Sequence, residues 1–428
     1  FQVTIPSEYK IISVKQEEGK YRVKVITAPE EDDYDFLFDA KGQFLQINMF
    51  EVQVQEHRNE IIELDKPLRI PFSFENGIIF IHLKINGRSE PLNFVFDTGA
   101  TTTVLDRAVA VKYGIKPLTQ QNSTGATGNQ AYDISTISDL KMGTLDISNI
   151  SCVLVDLAHL KGKKKIDGII GYTLLSDYVT KIDYNKNELV FYNTIKDSDE
   201  VYKKQIKFDF ENEIPIPQIP IAIRLKTGVT FSGKVLMDTG AAPNFILNSN
   251  ITRDNDLLEK FNPKIEVTSE SLTGGAKEYE STLEQLSFDK ETFSDAPIII
   301  SLATEGVNTF PNLLGILGNG ILHKRNWIFD YENQIAYYED NQFSTKEFEY
   351  PCTNFSIQQE NGIISFATVQ PKSREAKKGI QTGMEILSIN GHTDAYDEMK
   401  RLLKTPNIKL KIQYKNTLGA KKWIRINR

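Results

Sequence analysis

A chain of 428 residues, 40% apolar and 25% charged, is long enough for several domains with cores of their own, and its composition excludes disorder, collagen-like repeats and coiled coils. Its formal charge of -7 is modest and interspersed, which argues against a nucleic-acid partner; the densest basic run, 161–165, holds no aromatic residue on which a base could stack and reads as a solvated loop. No apolar run reaches the roughly eighteen residues of a membrane span, so no transmembrane segment is predicted.

Residues 1–65 carry short alternating runs at 21–26 and 44–50, split by an acidic, turn-like stretch at 29–35; they predict an N-terminal β domain or extension. From about residue 70 the pattern becomes an internal duplication. Each copy opens with a β-rich stretch, 78–85 and 219–225, and an apolar run then ends in Asp-Thr-Gly-Ala, as Phe94-Val-Phe-Asp97-Thr98-Gly99-Ala100 and Val235-Leu-Met-Asp238-Thr239-Gly240-Ala241. Gly/Ser/Thr turns follow, with Gly125 and Gly128 in one copy and Gly274 and Gly275 in the other. Next come Gly168-Ile-Ile-Gly171 and Gly315-Ile-Leu-Gly318, an apolar pair, and the pairs Asp183-Tyr184 and Asp330-Tyr331. From the last glycine to the following Asp the interval is twelve residues in both copies, 171 to 183 and 318 to 330. The two copies are assigned to 66–195 and 196–345, with the charged stretch 196–214 as their connection. Residues 346–428 predict a mixed α/β module, with strands at 355–358, 363–369, 385–389, 408–414 and 423–426 and helices at 373–378 and 395–403.

Two carboxylates held a few ångströms apart cannot both ionise readily, so they share one proton. The ionised member can activate a water while the protonated member donates to a carbonyl oxygen, which hydrolyses a peptide bond. Asp97 and Asp238 are the candidates for such a dyad. Thr98 and Thr239 are placed to hydrogen-bond across to the opposite loop, and Gly99 and Gly240 to permit tight turns and close approach. A lone Asp-Thr-Gly is a weak signal, with a turn as its plain reading. Two copies in matched contexts are a strong one.

On these motifs residues 70–340 resemble the retropepsin/pepsin superfamily of aspartic peptidases, their lobe length being closer to the retropepsin-like bacterial aspartyl proteases than to pepsin. The resemblance implies a mainly β fold of two tandem β-barrel lobes and a water-nucleophile endopeptidase acting on a peptide or protein substrate. It also implies flaps closing over an extended strand; Gly125, Gly128, Gly274 and Gly275 are the flap candidates, with ordinary hairpin turns as the equal alternative. Thr101-Thr102-Thr103 follows the first triplet and Ala242-Pro243-Asn244 the second, a departure from symmetry around the dyad. Residues 362–391, through Gly383 and Ile386-Leu-Ser-Ile-Asn390-Gly391, resemble a bacterial, protease-associated PDZ domain; a peptide ligand beside the helix at 396–403 and a structural role both remain open.

With both half-sites on one chain a monomer is expected. Phe1 at the start leads us to expect an exported, extracytoplasmic protein whose signal segment precedes this sequence. Cys152 and Cys352 lie far apart and predict no disulfide framework. The five histidines form no ligand spacing, so neither metal nor cofactor is expected. His82, His159 and His323 lack the motifs of a catalytic base, and 315–320 does not follow the GxGxxG order of a nucleotide loop. The rival reading is a non-catalytic, bilobal peptide-binding protein with the PDZ-like module as scaffold.

Overall fold

The computed structural model describes residues 62–428 apart from 125–127, 161–163, 201, 211–213, 262–263, 272–273, 349–353, 361, 371–372, 406–407 and 428, together with the backbone of four strands between residues 9 and 48. By contact the chain divides into two units, Phe1–Ile61 and Ile62–Arg428. In the first, strands Tyr9–Glu17, Lys20–Thr27, Glu30–Phe38 and Phe44–Asn48 form an antiparallel sheet in chain order. The acidic stretch expected as a turn is therefore a strand. Its Tyr34-Asp-Phe-Leu-Phe38 end carries the β propensity that the acids before it obscure.

The second unit is mainly β, and the duplication is visible in its sheets. An eight-stranded sheet runs Thr119–Thr124, Asn129–Met142, Leu145–Val155, Thr103–Asp106, Gly168–Ile170, Leu92–Phe96, Ile78–Ile85, Ser73–Glu75. A nine-stranded sheet repeats that order as Ile265–Ser271, Gly274–Thr282, Pro297–Ile300, Phe245–Leu247, Leu313–Gly318, Thr230–Asp238, Gln218–Arg224, Gln285–Phe288, Glu291–Ser294. The long Asn129–Met142 strand curls back to pair with Ile78–Ile85; in the second copy Gln285–Phe288 makes the same closure on Gln218–Arg224. Each sheet so bends on itself and encloses an apolar filling, which includes Phe94, Phe96 and Leu105 in one copy and Met237, Phe245 and Leu317 in the other.

A six-stranded antiparallel sheet joins the two copies, ordered Lys204–Lys207, Ile335–Asp340, Arg325–Asp330, Val179–Asp183, Glu188–Tyr192, Leu68–Pro71. At its centre Val179–Asp183 of one copy pairs with Arg325–Asp330 of the other, Lys181 opposite Ile328. The charged stretch expected as a simple connection thus contributes a strand of its own, Lys204–Lys207, on Ile335–Asp340. The Asp-Tyr landmarks end the two central strands for a local reason. Asp183 Oδ1 accepts the N–H groups of Asn185 and Lys186, and Asp330 Oδ1 that of Asn333, so each Asp builds the turn into the next strand.

Residues 354–427 hold strands Phe355–Glu360, Ile363–Val369, Ile386–Ile389, Lys409–Lys415 and Lys421–Asn427, with helices Arg374–Lys377 and Tyr396–Lys404. Phe355, Phe366, Ile389, Met399, Leu403 and Ile412 fill a core separate from that of the paired sheets. No helix among the described residues is long and apolar enough to cross a membrane.

Candidate active site

In each copy the strand that delivers the motif Asp runs parallel to its Gly-apolar-apolar-Gly strand, which in turn lies antiparallel to the strand after the triplet. Phe94, Val95 and Phe96 pair with Gly168, Ile169 and Ile170, and Ile169 lies opposite Val104. In the second copy Leu236, Met237 and Asp238 pair with Ile316, Leu317 and Gly318, and Leu317 lies opposite Phe245. Three strands in that space leave no room for side chains at the glycines. A Cβ on Gly168 would stand 2.3 Å from Phe94 Cε1 and one on Gly315 2.0 Å from the Ile246 carbonyl. One on Gly171 would stand 2.2 Å from the Ala100 carbonyl and one on Gly318 2.2 Å from that of Pro243.

The two triplet loops interlock. Thr98 N donates to Thr239 Oγ1 at 3.0 Å, and Thr239 N to Thr98 Oγ1 at 3.0 Å. Each hydroxyl then donates to the strand behind the opposite Asp, Thr98 to the Met237 carbonyl at 2.8 Å and Thr239 to that of Phe96 at 3.0 Å. Both threonines are buried. Four reciprocal hydrogen bonds between buried groups tie the two loops to one another.

Asp97 and Asp238 are brought together. Each carboxyl lies against the glycine of the opposite triplet, since a Cβ on Gly99 would stand 2.4 Å from Asp238 Cγ and one on Gly240 2.3 Å from Asp97 Oδ2. The glycines are required for close approach rather than for an unusual backbone. Gly99 N donates to Asp97 Oδ1 at 2.7 Å; Gly240 N and Ala241 N donate to Asp238 Oδ1 at 2.8 and 2.9 Å. Burial, the charge of Asp238 and a hydrogen bond between the two side chains hold the Asp97 carboxyl well above the usual range, against the N–H groups of Gly99 and Gly240. Burial also raises Asp238, against the hydrogen bond from Asp97 and the N–H groups of Gly240 and Ala241. Two carboxyls so buried and so close to one another disfavour simultaneous ionisation.

Of the flap candidates, Gly128, Gly274 and Gly275 fall on hairpins at matching edges of the two sheets. Gly128 directly precedes the Asn129–Met142 strand, while Gly125 lies outside the described residues. Gly274 and Gly275 lie within a strand, opposite Ser271 and Glu270. Cys152 is a buried free thiol, and Cys352 lies outside the described residues.

Several residues around the loops carried no motif of their own. Asn319, fully buried, donates its backbone N–H to the Ala241 carbonyl at 2.7 Å and its side-chain Nδ2 to that of Thr239 at 3.2 Å; its Oδ1 accepts from the Tyr184 hydroxyl at 2.6 Å. The His323 Nδ1 lies 2.7 Å from the Asn319 carbonyl. The His323 ring stacks on Phe74 of the first copy and packs against Phe343, and burial lowers its pKa to about 4. The identical spacing of the two Asp-Tyr pairs was the signal that could have directed attention to Tyr184 and so to Asn319.

Residues 81–174 match the family model described as aspartyl protease. The aspartyl protease match takes in the first triplet and Gly168-Ile-Ile-Gly171; the second triplet lies beyond it. Among solved structures, the crystal structure of aspartic proteinase from Irpex lacteus aligns with a TM-score of 0.42 at 11% identity, over 65% of this chain and 99% of that one. Comparison with curated proteins gave no match.

Proposed function

We propose that this chain is an aspartic endopeptidase whose dyad is Asp97 and Asp238. The observation that carries the reading is the reciprocal lock between Thr98 and Thr239, which sets two carboxyls side by side with one shared hydrogen bond. The aspartyl protease match over 81–174 supports it. In the reaction a water oxygen bonds to the peptide carbonyl carbon while one carboxylate takes the water's proton and the other carboxyl gives its proton to the carbonyl oxygen. When the resulting diol collapses and the C–N bond breaks, the first carboxyl returns its proton to the leaving nitrogen. The other recovers one from a diol hydroxyl, so both end as they began. The matching hairpins at 119–142 and 265–282 are the flaps in this reading, and an extended substrate strand lies between them and the dyad. Residues 354–427 serve as a PDZ-like module.

The test is cleavage of a denatured protein mixture between about pH 3 and 7, the range in which a proton-sharing pair operates. Asp97→Asn and Asp238→Asn should each abolish turnover with little change in melting temperature, because either change removes one partner of the acid–base pair. Turnover that survives either substitution, or that rises into alkaline pH, excludes the mechanism.

A further inference from the structure

The two halves of the site are braced differently. Asn319 and Tyr172 stand at equivalent places, each directly after its Gly-apolar-apolar-Gly element, and their backbone N–H groups make the same bond, to Ala241 O at 2.7 Å and to Ala100 O at 2.8 Å. Their side chains do not correspond. The Asn319 amide bridges the halves, from the Tyr184 hydroxyl of one copy to the Thr239 carbonyl of the other. A carbonyl only accepts, so Nδ2 must face Thr239 and Oδ1 must face the tyrosine. On the opposite side Tyr331, the counterpart of Tyr184, packs its ring on Tyr172, and its buried hydroxyl meets no hydrogen-bonding partner among the described residues.

That asymmetry reaches the dyad through one peptide group. The Thr239 carbonyl and the Gly240 N–H belong to the same amide. This N–H donates to Asp238 Oδ1 at 2.8 Å and also bears on the Asp97 carboxyl, so the bias toward Asp238 rests on its acceptor geometry and on the second donor described next. A donor placed on the carbonyl end polarises the amide and strengthens what its N–H gives to a carboxylate. Ala241 N, whose residue is anchored by Asn319 N through its own carbonyl, adds a second donor to the same oxygen.

We propose that Asn319 is a positioning residue that makes the dyad unequal, keeping Asp238 as the ionised member that takes the proton from water and leaving the shared proton on Asp97. The inference rests on the peptidase reading and deepens it by giving each carboxyl its role. Among the described residues, Tyr184 and His323 are titratable groups that contact Asn319, and Tyr331, with Tyr172 beside it, lies on the Asp97 side.

The experiment is the pH profile of kcat/KM on an unfolded protein substrate for wild type, Asn319→Ala and Tyr184→Phe. Loss of the amide donor weakens a hydrogen bond to the ionised form, so the acidic limb, which reports the base, moves up by about half a unit to one unit while the alkaline limb holds its place. Tyr184→Phe, which removes one oxygen from a buried ring, shifts the same limb in the same direction by less, and carries the test if Asn319→Ala fails to fold. A uniform loss of rate with both limbs in place, or movement of the alkaline limb alone, overturns the assignment. If the wild-type chain cleaves nothing, the peptidase reading falls and carboxyl 13C titration decides the inference separately. Asn319→Ala must raise the lower of the pair's two apparent pKa values, and an unmoved value refutes it.

Discussion

His323 shows how much one buried side chain can make the molecule depend on pH. Its ring lies among Phe74, Tyr184 and Phe343, its Nδ1 lies against the Asn319 carbonyl, and the positive charges of Lys324 and Lys346 lie close enough to oppose protonation. Its pKa falls from 6.5 to about 4, so between those values the unfolded chain binds a proton that the folded chain refuses. The contribution of His323 to stability is therefore fully present above pH 6.5 and is lost as pH falls toward 4, by about 3 kcal/mol. His323→Gln, which cannot charge, should lower stability at neutral pH through lost stacking yet flatten this decline. Urea melts at pH 7, 5 and 4 measure it, and a slope equal to that of wild type would assign the decline to other groups. On the proposed reading, a dyad that works in acid thus sits beside a group that limits how acidic its surroundings can become.

At the scale of strands and turns, the glycine elements and the Asp-Tyr pairs are where sequence and structure agree most closely. Gly168 and Gly315 could be singled out because three strands converge there, and no other residue fits between Phe94 and the Val104 carbonyl or against the Ile246 carbonyl. Gly315→Ala should therefore cost about 3 kcal/mol or more, since the clash is with backbone and cannot be relieved by a rotamer; a chemical denaturation midpoint within error of wild type would contradict this packing. The reciprocal threonine bonds were also legible, because Asp-Thr-Gly occurred twice in one frame. The bracing role of Asn319 was not. In sequence it is one polar residue in an apolar stretch, and its partners Tyr184 and Thr239 lie 135 and 80 residues away. The strand at Glu30–Phe38 was missed because acidic side chains lower β propensity on average while pairing with Lys20–Thr27 determines the local outcome.

The whole molecule has more than one core, and this bears on how its parts depend on one another. The filling of residues 354–427 is separate from that of the paired sheets, whereas Phe348, just before it, packs against Phe293 and under Lys324. A chain ending after residue 348 should keep the melting transition of the paired sheets and, on the proposed reading, cleave unfolded protein within about a factor of two of the full chain. Calorimetry and a cleavage assay check this, and a lost transition would show that the C-terminal core is needed for the rest to fold. The paired sheets permit no such division. Severed from its twin, either copy would present the bare edge of Val179–Asp183 or Arg325–Asp330, strands buried along their whole length, as an open template for any passing β-strand. The strand that best matches such an edge is the one on a second molecule of the same fragment, so an isolated half would gather into pairs or into aggregates. Fusing the copies into one polypeptide supplies each edge with its mate at high effective concentration, before a stranger can reach it.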